Sequence, residues 1–178
     1  VTNTGTTPLW VRLDTTGYPE YAPQPSSHVL QIERHILATD GSSKSLSSLK
    51  SGELVLVWLE VKASQNVPDA LVVDLLPAGL ELENQNLANS SASLQENGDA
   101  VQNLLNQMQQ ADIQHIEFRD DRFVAAVAVN EGQPVTLVYL ARAVTPGTYQ
   151  VPQPQVESMY APQWRATGAA SGPLTVTP

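Results

Sequence analysis

Thirteen prolines and ten glycines cut these 178 residues into short pieces, and that spacing decides what the chain can build. Proline fixes φ and lacks an amide hydrogen, so neither a long helix nor a long central strand can run through it. The intervals between breaks carry β-type patterns. Residues 8–14 (PLWVRLD) put Leu9, Val11 and Leu13 on one face and Trp10 and Arg12 on the other. Residues 28–38 alternate in their first half and read as a strand. The clearest run is 53–63 (ELVLVWLEVKA). There Val55, Val57, Leu59 and Val61 share one face and Leu54, Leu56, Trp58 and Glu60 the other, so both faces are largely covered. Further strands are predicted at 70–75, 113–118, 122–129, 135–143, 148–151 and 174–177. Turns fall at L-P-A-G-L (76–80), Asp120–Asp121, N-E-G-Q (130–133) and P-G (146–147).

Three stretches depart from the strand rhythm. Residues 18–27 hold three prolines and read as an irregular crossing segment. Residues 40–51 are a loop anchored by Leu46 and Leu49, and 84–98 are an Asn, Ser and Gln-rich solvated loop. Asp99 then suits the N-cap of a short helix, with Val101, Leu104, Leu105 and Met108 along one side. Seven to nine short strands with one inserted helix near 99–111 predict an all-β fold, an antiparallel β-sandwich. Residues 1–178 read as a single domain, with 18–27 and 84–111 as excursions from it.

Charge and cysteine content narrow the function. Nine Lys and Arg against eighteen Asp and Glu give a net charge of −9, which argues against nucleic acid and against a basic grip on anionic lipid. With no cysteine, the chain itself cannot hold a disulfide, a Cys-ligated zinc, an iron–sulfur cluster or a thiol nucleophile. No apolar run approaches the length of about 18 residues that suggests a membrane-spanning helix. A start at Val1, with no signal-peptide pattern after it, reads as an excised domain or a processed chain.

The sequence carries no recognisable catalytic or metal-binding motif. His28, His35 and His115 have no metal-ligand spacing, and seven residues on one regular strand would put His28 and His35 on opposite sides. Asp14-Thr15-Thr16-Gly17 is a near match to the aspartic-protease loop, but it carries an extra Thr and has no second copy to complete a dyad. Arg119-Asp120-Asp121-Arg122 reads as a structural hairpin whose carboxylates cap backbone amides and pair with the guanidiniums. Serine-nucleophile and phosphate-loop signatures are absent. Asn89-Ser90-Ser91 fits the N-glycosylation pattern. The expectation is a non-enzyme with no cofactor and no metal.

The tail holds what is left. Residues 156–165 (VESMYAPQWR) bring Met159, Tyr160 and Trp164 into a proline-bounded segment. Neighbouring Met and Tyr in an extended stretch project to opposite sides, so one core cannot take both. The segment is either a last strand packed on its own sheet or a loop facing a partner.

Four stretches then carry a family resemblance: V-V-D-L-L-P-A-G-L-E (72–81), E-F-R-D-D-R-F-V-A (117–125), R-A-V-T-P-G-T-Y (142–149) and E-S-M-Y-A-P (157–162). In this order and spacing the chain resembles the C-terminal macroglobulin-like, receptor-binding-type domain of bacterial α2-macroglobulins. The resemblance implies a fibronectin III-like sandwich within a monomeric, broad-spectrum protease inhibitor. That parent would be periplasmic and anchored to the inner membrane by an N-terminal lipid outside this chain. Cleavage of its bait region would expose an internal Cys–Gln thioester that acylates the attacking protease. The implied partners are the thioester domain of the same polypeptide and, through the whole protein, its target proteases. Met159 and Tyr160 would shield the thioester from water and amines, on a covering loop at 152–165. Glu157, Pro162 and Trp164 would give supporting contacts. A different expectation is a free-standing extracytoplasmic module that binds glycan or a surface protein through Trp10, Tyr18, Tyr21 and Trp164.

Overall fold

The two-faced run at 53–63 forms the central strand of one layer, for a reason visible in its neighbours. In the computed structural model, which describes residues 2–17, 21–83 and 99–178, strand β4 (Leu54–Ala63) lies between β2 (Leu30–Leu37) and β9 (Val135–Ala143). Its Val55, Val57, Leu59 and Val61 point into the main core. Leu56 points the other way, onto the helix α1 (Asp99–Gln110). That helix buries Val101 against Leu56, Val138 and Leu140, with Leu104, Leu105 and Met108 beside them. The predicted helical stripe therefore covers the outer apolar face of β4 and β9. Two polar contacts seat it: Thr136 Oγ1 lies 2.9 Å from Gln107 Oε1, and the Val138 amide donates to Met108 Sδ at 3.3 Å.

The remaining elements are β1 (Ser26–His28), β3 (Leu49–Lys50), β5 (Val67–Leu75), β6 (Leu80–Leu82), β7 (Ile113–Arg119), β8 (Arg122–Val129), β10 (Gly147–Tyr149), β11 (Gln155–Ser158), β12 (Arg165–Thr167) and β13 (Leu174–Thr177). Ten strands run in the order β6-β9-β4-β2-β1-β12-β11-β5-β8-β7, and β10-β13-β3 form a small second sheet. The long sheet folds over on itself. Phe123 of β8 stacks on Tyr139 of β9 with ring centroids 4.7 Å apart, so the β5–β8 region and the β4–β9 region face each other across the core. β1 and β12 carry the sheet from one layer to the other. This is the predicted all-β sandwich, with antiparallel pairing throughout the long sheet. Leu46 and Leu49 are buried, as the anchors of the 40–51 loop should be.

The fold corrects the sequence at several points. Residues 8–14 alternate as a strand does, yet they pair with no strand among the described residues. Leu9, Val11 and Leu13 are exposed, and Trp10 is 96% exposed. Alternation prepares one face for burial, but a strand also needs a hydrogen-bonding neighbour, and this segment has none within the described residues. His28 and His35 do not share a strand, because the chain turns at Val29. The strand predicted at 148–151 is β10, which ends at Tyr149, and the proline-rich 152–162 contains β11. The 84–98 loop, the Asn89-Ser90-Ser91 pattern and Tyr18 lie outside the described residues.

Val29 is the corner between β1 and β2, and its φ of 67° is a left-handed value that a β-branched residue rarely adopts. Its carbonyl accepts the Ser64 amide at 2.9 Å, which fixes the bend. Glycine normally weakens a strand relative to alanine. Here the order should reverse, because only glycine escapes the Cβ penalty. Val29→Gly is expected to exceed Val29→Ala in unfolding free energy by about 1 kcal/mol in urea denaturation. Equal stabilities would show that the corner carries no strain.

Candidate functional site

The hairpin from β11 to β12 decides how the 156–165 segment divides. β11 sits between β12 and β5, with Ser158 opposite Ala70, and buries Val156 and Ser158. The chain then leaves the sheet. Met159 is 44% exposed and Tyr160 83% exposed. The Met159 amide donates to the Asp69 carbonyl at 2.8 Å, and the Ser158 amide to the Trp164 carbonyl at 2.9 Å. Within the tip, the Trp164 amide donates to Ala161 O at 2.7 Å and the Ala161 amide to Ser158 Oγ at 3.2 Å. The segment therefore divides between sheet and tip. β11 packs on its own sheet, while Met159 and Tyr160 stand out at the tip.

The expected supporting residues divide in the same way. Trp164 is half-buried against the main core, so it braces the base of the hairpin. Glu157 and Pro162 are exposed. Trp10 and Tyr21, by contrast, are exposed.

The other sequence candidates play quieter parts. Asp120 and Asp121 form the β7–β8 turn, and Arg122 makes a two-pronged pair with Asp121 at 2.9 and 2.5 Å. That pair holds the Asp121 carboxyl below its usual range. Arg119 does not join it. Its guanidinium pairs instead with Glu117 at 2.9 Å, because residues two apart on a strand lie on the same side. His35 stacks on Trp58 at 4.4 Å, and its Nε2 is 3.7 Å from Glu33. His28 and His115 are exposed. Asp14 pairs with Arg12 at 2.8 Å on the surface. Among the described residues, no three His, Cys, Asp or Glu side chains converge as a metal site would require, and no helix is long and apolar enough to cross a membrane.

Sequence reading missed one buried cluster. Arg34 Nη1 donates to Asp74 Oδ1 at 2.7 Å, and the Tyr139 hydroxyl donates to Asp74 Oδ2 at 2.8 Å. The Arg34 and Asp74 side chains are 5% and 0% exposed. Burial pushes the Asp74 carboxyl up despite the pull of Arg34 and Tyr139, and it pushes the Tyr139 hydroxyl well above its ordinary value. Arg34 Nη2 reaches Ser171 Oγ at 3.0 Å, and Arg34 Nε has no hydrogen-bond partner among the described residues. The cluster joins β2, β5 and β9 across the two layers. A signal existed: Arg34 follows Leu30 and Ile32, and Asp74 follows Ala70 and Val72, at positions that point into the core. Opposite charges at two inward positions suggest a buried pair.

Comparison with known proteins adds the lineage. A family model for the bacterial alpha-2-macroglobulin MG10 domain matches residues 30–163, and one for the A2MG CUB domain matches residues 1–29. The two meet at the Val29 corner. Alpha-2-macroglobulin of Escherichia coli (strain K12) is 78% identical over the whole chain, which spans 11% of that protein. Among solved structures, native alpha-2-macroglobulin from E. coli, spanning domain MG7 to the C-terminus, superposes with a TM-score of 0.86. Its sequence is 81% identical, and the match covers 91% of this chain and 25% of that one. Salmonella alpha-2-macroglobulin reacted with methylamine gives a TM-score of 0.83 at 79% identity, covering 91% of this chain and 10% of that one.

Proposed function

The chain belongs to the bacterial α2-macroglobulin family and corresponds to its C-terminal region, and from that premise we propose that its β11–β12 hairpin shields a reactive thioester. The thioester lies in another domain of the same polypeptide, since this chain has no cysteine to form one. Met159 and Tyr160 cover it until cleavage of the parent moves the domains apart. The parent then captures the protease covalently, acting as an inhibitor in the periplasm.

The observation that carries this reading is the tip itself. Two large adaptable side chains are exposed on a hairpin whose base is hydrogen-bonded into the sheet. Such residues gain most from a partner surface, and a thioether beside an aromatic ring offers apolar cover that excludes water. A contact made by a projecting loop also releases without unfolding a core. Methylamine, with which the Salmonella relative was reacted, is a small nucleophile of the kind that opens thioesters.

The same reading accounts for residues 8–14. This alternating segment lies within the part matched by the CUB family model. Its ladder partner would then be an earlier stretch of the parent, and Leu9, Val11 and Leu13 would be buried there.

In the full-length parent, Tyr160→Gly is expected to raise the rates of methylamine uptake and free-thiol appearance several-fold before any protease is added. Rates equal to the unmodified protein would overturn the shielding role.

A further inference from the structure

We infer that Ser158 is the positioning residue that fixes the conformation of Met159 and Tyr160. This rests on the shielding reading and names the group that gives the shield its shape. Ser158 is polar yet buried at the end of β11. Its amide donates to the Trp164 carbonyl at 2.9 Å, and its Oγ accepts the Ala161 amide at 3.2 Å. The second bond spans three residues and encloses only Met159 and Tyr160. A hydroxyl oxygen here takes the place that a main-chain carbonyl fills in an ordinary turn.

The other bonds close the hairpin around this inner ring. Met159 is tied to Asp69 of β5, and Trp164 to Ala161. Both hold the flanks of the tip. Among the described residues, the Ser158 hydroxyl makes the innermost bridge across the two shielding residues. Without it, the half-buried Ala161 amide loses its acceptor, and the Met159–Tyr160 pair spreads over more conformations. A cover that is less often in place admits small nucleophiles more often. Ser158 touches no reacting atom; it acts through its two neighbours.

The test compares side chains of equal shape in the full-length parent. Ser158→Val and Ser158→Thr add the same branched bulk, but only Thr keeps the oxygen. Ser158→Val is expected to take up methylamine roughly fivefold faster than Ser158→Thr, the factor that one lost hydrogen bond of ordinary net strength allows. Ser158→Ala should match Val. In a Met159→Ala/Tyr160→Gly background, Ser158→Val and Ser158→Thr should react at one rate, because nothing is left to position. Equal rates for Val and Thr in the otherwise native protein would overturn the inference, and if Tyr160→Gly is fast in the same assay the shielding reading stands without it. A Val effect that persists undiminished in the double-variant background would also overturn it, by marking a general loosening of the domain. If Tyr160→Gly itself reacts at the native rate, the shield and its positioning residue fall together.

Discussion

Arg34→Ala is expected to destabilise the fold by about 3–5 kcal/mol, the usual cost of removing one partner from a buried ion pair. The reason lies in what it would leave behind. Asp74 is fully buried, 2.7 Å from Arg34 and 2.8 Å from the Tyr139 hydroxyl. Tyr139 alone cannot balance a carboxylate charge in that setting. Even with Arg34 present, burial outweighs its partners and raises the Asp74 carboxyl above its ordinary value. The native protein therefore binds this proton more readily than the unfolded chain. For this group, stability falls as pH rises through the raised value and recovers as pH falls toward the ordinary carboxylate range. Removing Arg34 raises the carboxyl further, so the difference between variant and wild type should shrink as unfolding is measured at progressively lower pH, toward the ordinary carboxylate range. A difference that grows on acidification would show that Asp74 is not the group left stranded. The whole cluster is another matter, since Arg34 Nε finds no hydrogen-bond partner among the described residues even now. Exchange of the set as Arg34→Met/Asp74→Leu/Tyr139→Phe should cost far less than Arg34→Ala, as buried ionic groups commonly tolerate apolar replacement by well-packed side chains. The cluster then matters for register, tying β2, β5 and β9 to one alignment across the layers.

The sandwich was legible where a period could be counted over many residues. β4, β8 and β9 carry such runs, and so does the helix stripe from Val101 to Met108. The short strands β1, β3, β6, β10 and β12 have two or three residues each. No periodicity can be read in so few, and their neighbours alone make them strands. Residues 8–14 show the opposite failure: the pattern is present, and the described residues hold no ladder partner for it. Arg34 and Asp74 were hidden because a charge within a strand usually means a solvated face. Only their shared inward register says otherwise. At the site, Met159 and Tyr160 drew attention as large neighbouring side chains and through the family resemblance. Ser158 carried no such mark, because a serine before a turn is common and its burial appears only in three dimensions.

Phe123→Ala should rival Arg34→Ala in cost, at about 3–5 kcal/mol for a large aromatic cut from a packed core. Phe123 is buried between two other rings. Tyr139 stacks on it at 4.7 Å and 19°, and Phe118 meets it edge-on at 5.5 Å and 63°. Opposite Phe123 in the β5–β8 register stands Asp74. Truncation would therefore open a cavity and also remove a wall from the ring whose hydroxyl steadies the buried carboxylate. The two losses share a partner, so they should not add. A cycle of Phe123→Ala with Tyr139→Phe should give a coupling of about 0.5–3 kcal/mol, the range seen for contacting groups. Phe118→Ala is the control. Its ring belongs to the same aromatic set, but it is half-exposed at an edge strand and leaves less apolar surface to lose. Urea unfolding that ranks Phe118→Ala level with Phe123→Ala would mean that the core can collapse around the missing ring. The fold would then owe its stability to the layers as a whole and not to the stack that joins β8 to β9.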